Sequence, residues 1–67
     1  MTATRLEPAA LWQRISRIMG PKRLNVRKDG KGKWEVFNTL TGATVQEYTS
    51  MLTLARAYGL INKWETV

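Results

Sequence analysis

The chain has 67 residues, with eleven Lys and Arg against five Asp and Glu, a formal net charge of +6, and neither His nor Cys. The length allows one small domain. The missing Cys excludes disulfides, zinc fingers, iron–sulfur clusters and thiol nucleophiles, and the missing His removes the commonest general base and metal ligand. No apolar run approaches the ~20 residues that a membrane span needs, and the chain does not open with a signal-peptide pattern. We therefore expect a small folded basic protein of a reducing, cytoplasmic compartment, without a cofactor.

The first predicted element is a helix over residues 8–19. Pro8 suits the first turn of a helix, where its missing N–H costs nothing. Apolar side chains then recur at helical spacing: Leu11, Ile15 and Ile18, with Trp12 and Met19 beside them. Gly20 and Pro21 are expected to end this helix. Residues 1–6 carry no pattern and are predicted to be a flexible terminus.

Residues 23–48 alternate apolar and polar side chains with a period of two, which predicts a three-stranded antiparallel meander. One face of the predicted sheet is apolar: Leu24, Val26, Trp34, Val36 and Val45. The other face is mostly polar: Asn25, Arg27, Lys33, Glu35, Phe37, Thr44 and Gln46. Two arrangements stay open at this point. Either the polar face is free, or the N-terminal helix covers it and Phe37 joins the core.

The strand register can be predicted because directly opposed residues share a face of the sheet. We expect an odd-length first loop that opposes Val26 to Trp34, since a two-residue turn would oppose apolar to charged side chains. A four-residue second loop would pair Val36 with Val45. That pairing leaves Glu47 on the core side opposite Trp34, so a bulge or the end of the strand is needed nearby.

A second helix is predicted after the strands, capped by Thr49 or Ser50. Its apolar stripe contains Met51, Leu54, Ala55, Tyr58 and Ile61, with Leu52 beside them. Gly59 is expected at its C-terminal cap, with Leu60 packing back over it, and residues 62–67 are predicted to be a tail. The order is αβββα. The predicted fold class is α+β, a single domain over 1–67 in which a three-stranded antiparallel sheet packs against a C-terminal helix, with an additional N-terminal helix.

The positive charge is concentrated in residues 14–33, which hold eight basic side chains and one acid, Asp29. That stretch carries +7 and the rest of the chain −1, which together give the net +6. An asymmetric basic surface is typical of proteins that bind polyanions. The candidate nucleic-acid-binding residues are Arg14, Arg17, Lys22, Arg23, Asn25, Arg27, Lys28, Lys31 and Lys33.

The stretch from Leu24 to Leu60 resembles plant AP2 domains and the arm-binding N-terminal domains of tyrosine integrases. The resemblance is carried by three short motifs: Gly-Lys-Trp-Glu-Val at 32–36, Thr-Gly at 41–42 and Ala-Arg-Ala-Tyr at 55–58. It implies that the exposed sheet lies in the major groove of DNA. The residues that it places toward the groove are Asn25, Arg27, Lys33 and Glu35. The helix at 8–19 is an addition that those modules lack.

Three aromatic side chains are candidate partner-binding residues. Trp12 fits either the core or a contact with a dimer partner or another protein, because Trp is enriched at interface hot spots. Trp64 either folds back over the sheet or is an exposed anchor, and Phe37 is the third candidate.

Catalysis and metal binding are not expected, because the five acids have no paired spacing and no His is present to activate Ser16 or Ser50. The sequence therefore predicts a small non-enzymatic, regulatory nucleic-acid-binding protein, with DNA favoured over RNA. The alternative is a phage- or mobile-element-type inhibitor or adaptor that binds a larger host protein. A homodimer is a further open partner, since a chain of this size gains only about 3–5 kcal/mol from its own core.

Overall fold

The computed structural model describes residues 3–67, and it has the predicted α+β architecture. The elements in chain order are β1 (Thr4–Arg5), α1 (Pro8–Arg14), a π-helical turn (Ile15–Met19), a 3-10 turn (Gly20–Lys22), β2 (Leu24–Lys28), β3 (Trp34–Asn38), β4 (Thr44–Tyr48), α2 (Met51–Ala57) and β5 (Glu65–Thr66). Met1 and Thr2, part of the predicted flexible terminus, lie outside the described residues. Every helix within 3–67 is too short or too polar to cross a lipid bilayer.

The N-terminal helix occupies the predicted residues 8–19, and a separate 3-10 turn follows it. Its second half is π-helical, with wider i→i+5 turns, so that Leu11, Ile15 and Met19, four residues apart, form the buried stripe. Gly20 keeps a helical φ of −53° and Pro21 lies within the 3-10 turn. Arg23, with φ of 59°, ends this 3-10 turn. The predicted end of the helix at residue 19 is confirmed, since the π-helical turn ends at Met19 with Gly20 as its C-cap. The 3-10 turn that follows begins a new helical turn, where proline costs no hydrogen bond.

Strands β2, β3 and β4 form the predicted antiparallel meander in the order β2-β3-β4. The first loop has odd length, so the predicted faces of β2 and β3 are correct. The register is two residues further along, because Val26 opposes Val36 and not Trp34. The loop that joins these strands runs from Asp29 to Lys33 and is closed by a 2.8 Å bond from the Asp29 N–H to the Lys33 carbonyl.

The second hairpin contains a β-bulge in β4, and beyond it the side chains of β4 lie on the opposite faces of the sheet from those predicted. The four-residue turn is the predicted one, with the Asn38 N–H bonded to the Ala43 carbonyl at 2.9 Å. Beyond the bulge, Val36 opposes Gln46 and not the predicted Val45, which is 53% exposed. The bulge also resolves the conflict at Glu47, which opposes Glu35 on the polar side of the sheet.

Helix α2 begins at the serine of the predicted pair. The Ser50 hydroxyl accepts the Thr53 N–H at 3.2 Å, the bond that defines an N-cap. At the other end Gly59 has φ of 68°, and the Leu60 N–H returns to the Ala55 carbonyl at 2.8 Å. Leu60 is buried as predicted.

One apolar cluster joins both helices to one face of the sheet. Its buried members are Leu11, Ile15, Met19, Val26, Val36, Leu54, Ala55, Leu60 and Ile61. The predicted loose termini contribute as well, since β1 pairs in parallel with β5. Backbone bonds of 2.8 Å run from Thr4 N–H to the Trp64 carbonyl and from Leu6 N–H to the Thr66 carbonyl. Residues 4–6 and 64–66, which the sequence assigned to a flexible terminus and a tail, are thus joined by backbone hydrogen bonds.

Candidate nucleic-acid interface

The polar face of the three-stranded sheet is not covered by either helix. Leu11, Ile15 and Met19 pack in the same cluster as Val26 and Val36 from the sheet's apolar face. Both helices therefore lie on that apolar side. This excludes the arrangement in which the N-terminal helix α1 covers the polar face. We call this polar side the outer face: Asn25, Arg27, Glu35, Phe37, Thr44 and Glu47.

Arg27 is held in place at the centre of the outer face. Its Nε donates to Glu35 Oε2 at 2.8 Å. Its Nη2 donates to the Gly42 carbonyl at 3.2 Å and lies 3.4 Å from Thr44 Oγ1. The guanidinium carbon also lies 4.4 Å from the centre of the Phe37 ring, a cation–π contact. The side chain nevertheless stays 45% exposed, and both N–H groups of Nη1 have no partner among residues 3–67.

Asn25 is the second candidate base-contacting residue on this face, and it is exposed. Its carboxamide oxygen accepts the Val26 N–H at 2.7 Å. The carboxamide NH2 therefore remains available as a donor, whereas the paired donor and acceptor that would read adenine are not both free.

Six of the eight basic residues predicted to bind nucleic acid have no carboxylate partner within 3–67. They are Arg17 in the π-helical turn, Lys22 and Arg23 before β2, Lys28 at its end, and Lys31 and Lys33 in the first hairpin loop. All six are exposed. Strand β2 separates the pair at its start from the three at its end by about 13 Å, at 3.3 Å per residue.

Arg14 has a different environment from those six. Its Nη1 donates to Glu65 Oε1 at 2.7 Å and to the Leu60 carbonyl at 3.0 Å. The hydrogen bond from Arg14 holds the pKa of the Glu65 carboxyl below its usual range, and the same bond raises the pKa of Arg14. Arg14 thus connects α1 to β5. It is therefore not counted among the six basic residues without a carboxylate partner, which we call the free cations.

Three of the five acids come together on the outer side of the sheet. Oxygens of Asp29, Glu35 and Glu47 lie within 4.8 Å of one another. The expectation that the acids stay scattered is wrong for these three, because the bulge in β4 carries Glu47 to the side of Glu35. Glu35 already binds Arg27 and Asp29 already accepts backbone hydrogen bonds, so the cluster is a polar network on an open surface.

The glycine-rich first loop uses its own amides internally. Asp29 Oδ1 accepts the Lys31 N–H at 2.8 Å and the Lys33 N–H at 2.9 Å. The hydrogen bond from the Lys33 N–H, and to a smaller extent the one from the Lys31 N–H, lowers the pKa of the Asp29 carboxyl. Because these two amides are engaged, the loop is a hairpin turn with exposed lysines rather than a backbone cradle for phosphate.

The three predicted aromatic anchors lie in different places. Trp12 in α1 is 42% exposed, and Trp64 is 52% exposed with Lys63 Nζ 4.8 Å from its ring centre. Phe37 is half-buried beneath Arg27 on the outer face. The structure therefore does not bring these three side chains together.

Sequence reasoning placed Glu35, Phe37 and Thr44 on the same face as Arg27 but did not show that they hold it. The contact with Glu35 depends on the observed register of the first hairpin, and the Gly42 carbonyl comes from the neighbouring turn. The misplaced Glu47 was the one signal in the sequence that a bulge was required.

Comparison of the chain with protein-family models, with curated proteins and with solved structures finds no match.

Proposed function

We propose that this chain is a non-enzymatic protein that binds duplex DNA with the outer face of its sheet. The free cations at the two ends of β2 contact phosphates, and the polar side chains between them face the base edges. A small regulatory protein of the cytoplasm, of the type that phages and mobile elements encode, suits such a module.

The observation that carries the proposal is an uncovered sheet face with exposed cations at both ends of one strand. Strand β2 is about 13 Å long, close to the major-groove width of about 12 Å. Lys22 and Arg23 at one end, and Lys31 with Lys33 in the loop at the other, can therefore reach the phosphates on the two sides of one groove.

The acidic side chains on this side of the sheet favour contact with the base edges of a groove over contact with the sugar–phosphate backbone. The carboxylates of Asp29, Glu35 and Glu47 would repel a sugar–phosphate backbone laid directly across them. Base edges in the major groove offer donors as well as acceptors, so carboxylates there are tolerated. The phosphate contacts thus belong to the cations at the strand ends.

Arg27 is the residue best suited to contact a base. Its neighbours already restrict its rotamers, so binding would cost less of the ~2 kcal/mol of side-chain entropy that a free arginine carries. The Nη1 donors face no acceptor within 3–67, and acceptors on guanine are their usual partners in the major groove.

A binding titration with a labelled mixed-sequence duplex at about 50 mM salt tests the proposal. We expect saturable binding that Arg27→Ala weakens and that Arg56→Ala, at an exposed position on α2, leaves unchanged. The absence of binding at low salt would overturn the proposal. Competition by single-stranded RNA stronger than by duplex DNA would replace DNA with RNA as the ligand.

A further inference from the structure

A cavity lies on the helix side of the sheet, opposite the outer face. It is a groove of about 630 Å³ between the start of α1, the start of α2 and the paired terminal strands. Its walls are mainly apolar and include Leu6, Leu11, Trp12, Trp34 and Leu52. We call it the terminal groove, and the proposed DNA-binding surface does not use it.

The groove exposes apolar surface that is not fully buried against the core. Trp12 is 42% exposed, and Leu6, Trp34 and Leu52 are only partly buried against the core. Large aromatic side chains in a concave apolar site are the usual anchors for an amphipathic helix.

The charges around the terminal groove are positive. Arg5 is among its lining residues, is exposed, and makes no ion pair within 3–67. Lys28 Nζ lies 5.6 Å from the centre of the Trp34 ring, which forms part of the wall. Among residues 3–67 the lining side chains include no acid, and the exposed Glu7 lies between the lining residues Leu6 and Pro8.

We propose that the terminal groove binds an amphipathic helix of a partner protein whose apolar stripe is flanked by Asp and Glu. Charge complementarity with Arg5 and Lys28 selects the acidic partner. A second copy of this chain fits less well, because a two-fold interface would bring the same cations of two chains, each with a net charge of +6, to one seam.

Two synthetic helical peptides of about 18 residues test this proposal, with the same leucines at i, i+3, i+4 and i+7. One carries Glu at its other positions and the other carries Lys. Fluorescence anisotropy of each labelled peptide is measured against the whole chain, with and without a saturating unlabelled duplex. The duplex arm separates the groove from the cationic DNA-binding surface.

We expect the acidic peptide to bind and the basic peptide not to bind. Trp12→Ala should weaken the acidic peptide at least about tenfold, as for an interface hot spot. Trp64→Ala, an equally exposed tryptophan outside the groove, should change its affinity less than about twofold. Arg5→Glu should weaken it while leaving the fold intact, because Arg5 is exposed.

Three results would overturn the proposal. One is equal binding of the two peptides, or binding of neither. Another is displacement of the acidic peptide by the duplex, which would assign it to the DNA-binding surface. The third is a dimer in sedimentation that Trp12→Ala dissociates, which would make a second copy the occupant. Equal binding of the peptides, binding of neither, and a dimer do not bear on whether the outer face binds DNA, whereas displacement would show that the duplex binds the chain.

Discussion

The helix side and the outer side of the sheet are formed by the same three strands but are stabilised in different ways. On the helix side, Val26 and Val36 meet both helices in one apolar cluster. On the outer side, Arg27 and Glu35 pair across two strands at 2.8 Å in a network that stays largely exposed. Burial stabilises the first side, while the second keeps charges that a partner can reach.

Loss of a core side chain gives the largest effect that this comparison predicts. Leu54 is fully buried, so Leu54→Ala should cost about 2–5 kcal/mol, which is comparable to the net stability of a domain this small. Leu40→Ala, at a 68% exposed position in the second turn, is the matched control and should change stability by less than about 0.5 kcal/mol. Urea unfolding followed by circular dichroism measures both. Equal effects would refute the burial assignment.

Substitution of Arg27 is expected to affect binding more than folding. Arg27→Ala should weaken duplex binding by about 1–3 kcal/mol, the usual value of an arginine at a base edge. Its exposed ion pair with Glu35 contributes at most about 1 kcal/mol to stability. Arg27→Lys keeps the charge but loses the planar set of guanidinium N–H donors. It should therefore recover only part of the affinity in the titration with the labelled duplex. Full recovery by lysine would show that Arg27 acts only through its charge.

Two glycines are expected to respond in opposite directions to alanine. Gly42 has φ of 76° in the turn whose carbonyl holds Arg27, so Gly42→Ala should destabilise the protein by about 1–2 kcal/mol. Gly30 in the first loop does not have a positive φ and has open space around its Cβ position. Gly30→Ala should therefore stabilise by about 0.4–1 kcal/mol. Thermal unfolding of both variants checks the pair, and a stabilising Gly42→Ala would contradict the turn geometry.

The smallest effect concerns acid sensitivity at the Arg14–Glu65 pair. Because folding lowers the pKa of Glu65, its contribution to stability is present above the ordinary carboxyl pKa of 4.5 and is lost as pH falls through the lower folded value. Glu65→Gln should flatten the stability profile below that pH. Glu7→Gln, at an exposed residue, is the control. Unfolding midpoints across the acid range measure this effect. A Glu65→Gln variant with the same pH profile of stability as the wild type would contradict the pairing.

Local patterns in the sequence were sufficient to predict the order of the two helices and the three strands of the meander, the turn at 39–42 and a cap at Thr49 or Ser50, because each depends on neighbouring residues. The π-helical turn was not predictable from spacing, since Ile18 and Met19 both fit a helical stripe and only packing selects Met19. The β1–β5 pairing joins the two ends of the described chain and has no local pattern.

The candidate site was predicted in part for the same reason. Alternation placed Asn25 and Arg27 on the outer face, and the charge run located the exposed lysines. Sequence spacing could not show that Arg14 binds Glu65, 51 residues away, or that the bulge carries Glu47 next to Glu35.

The salt dependence of duplex binding tests the central claim most directly. If the four cations Lys22, Arg23, Lys31 and Lys33 contact phosphates, the logarithm of the affinity should fall against the logarithm of salt concentration with a slope of about −3.6, or about 0.9 per contact. Lys31→Ala should reduce that slope by about 0.9, whereas Lys63→Ala, beside Trp64, should leave it unchanged. An affinity that does not depend on salt, or a Lys63→Ala slope reduced as much as that of Lys31→Ala, would contradict the account.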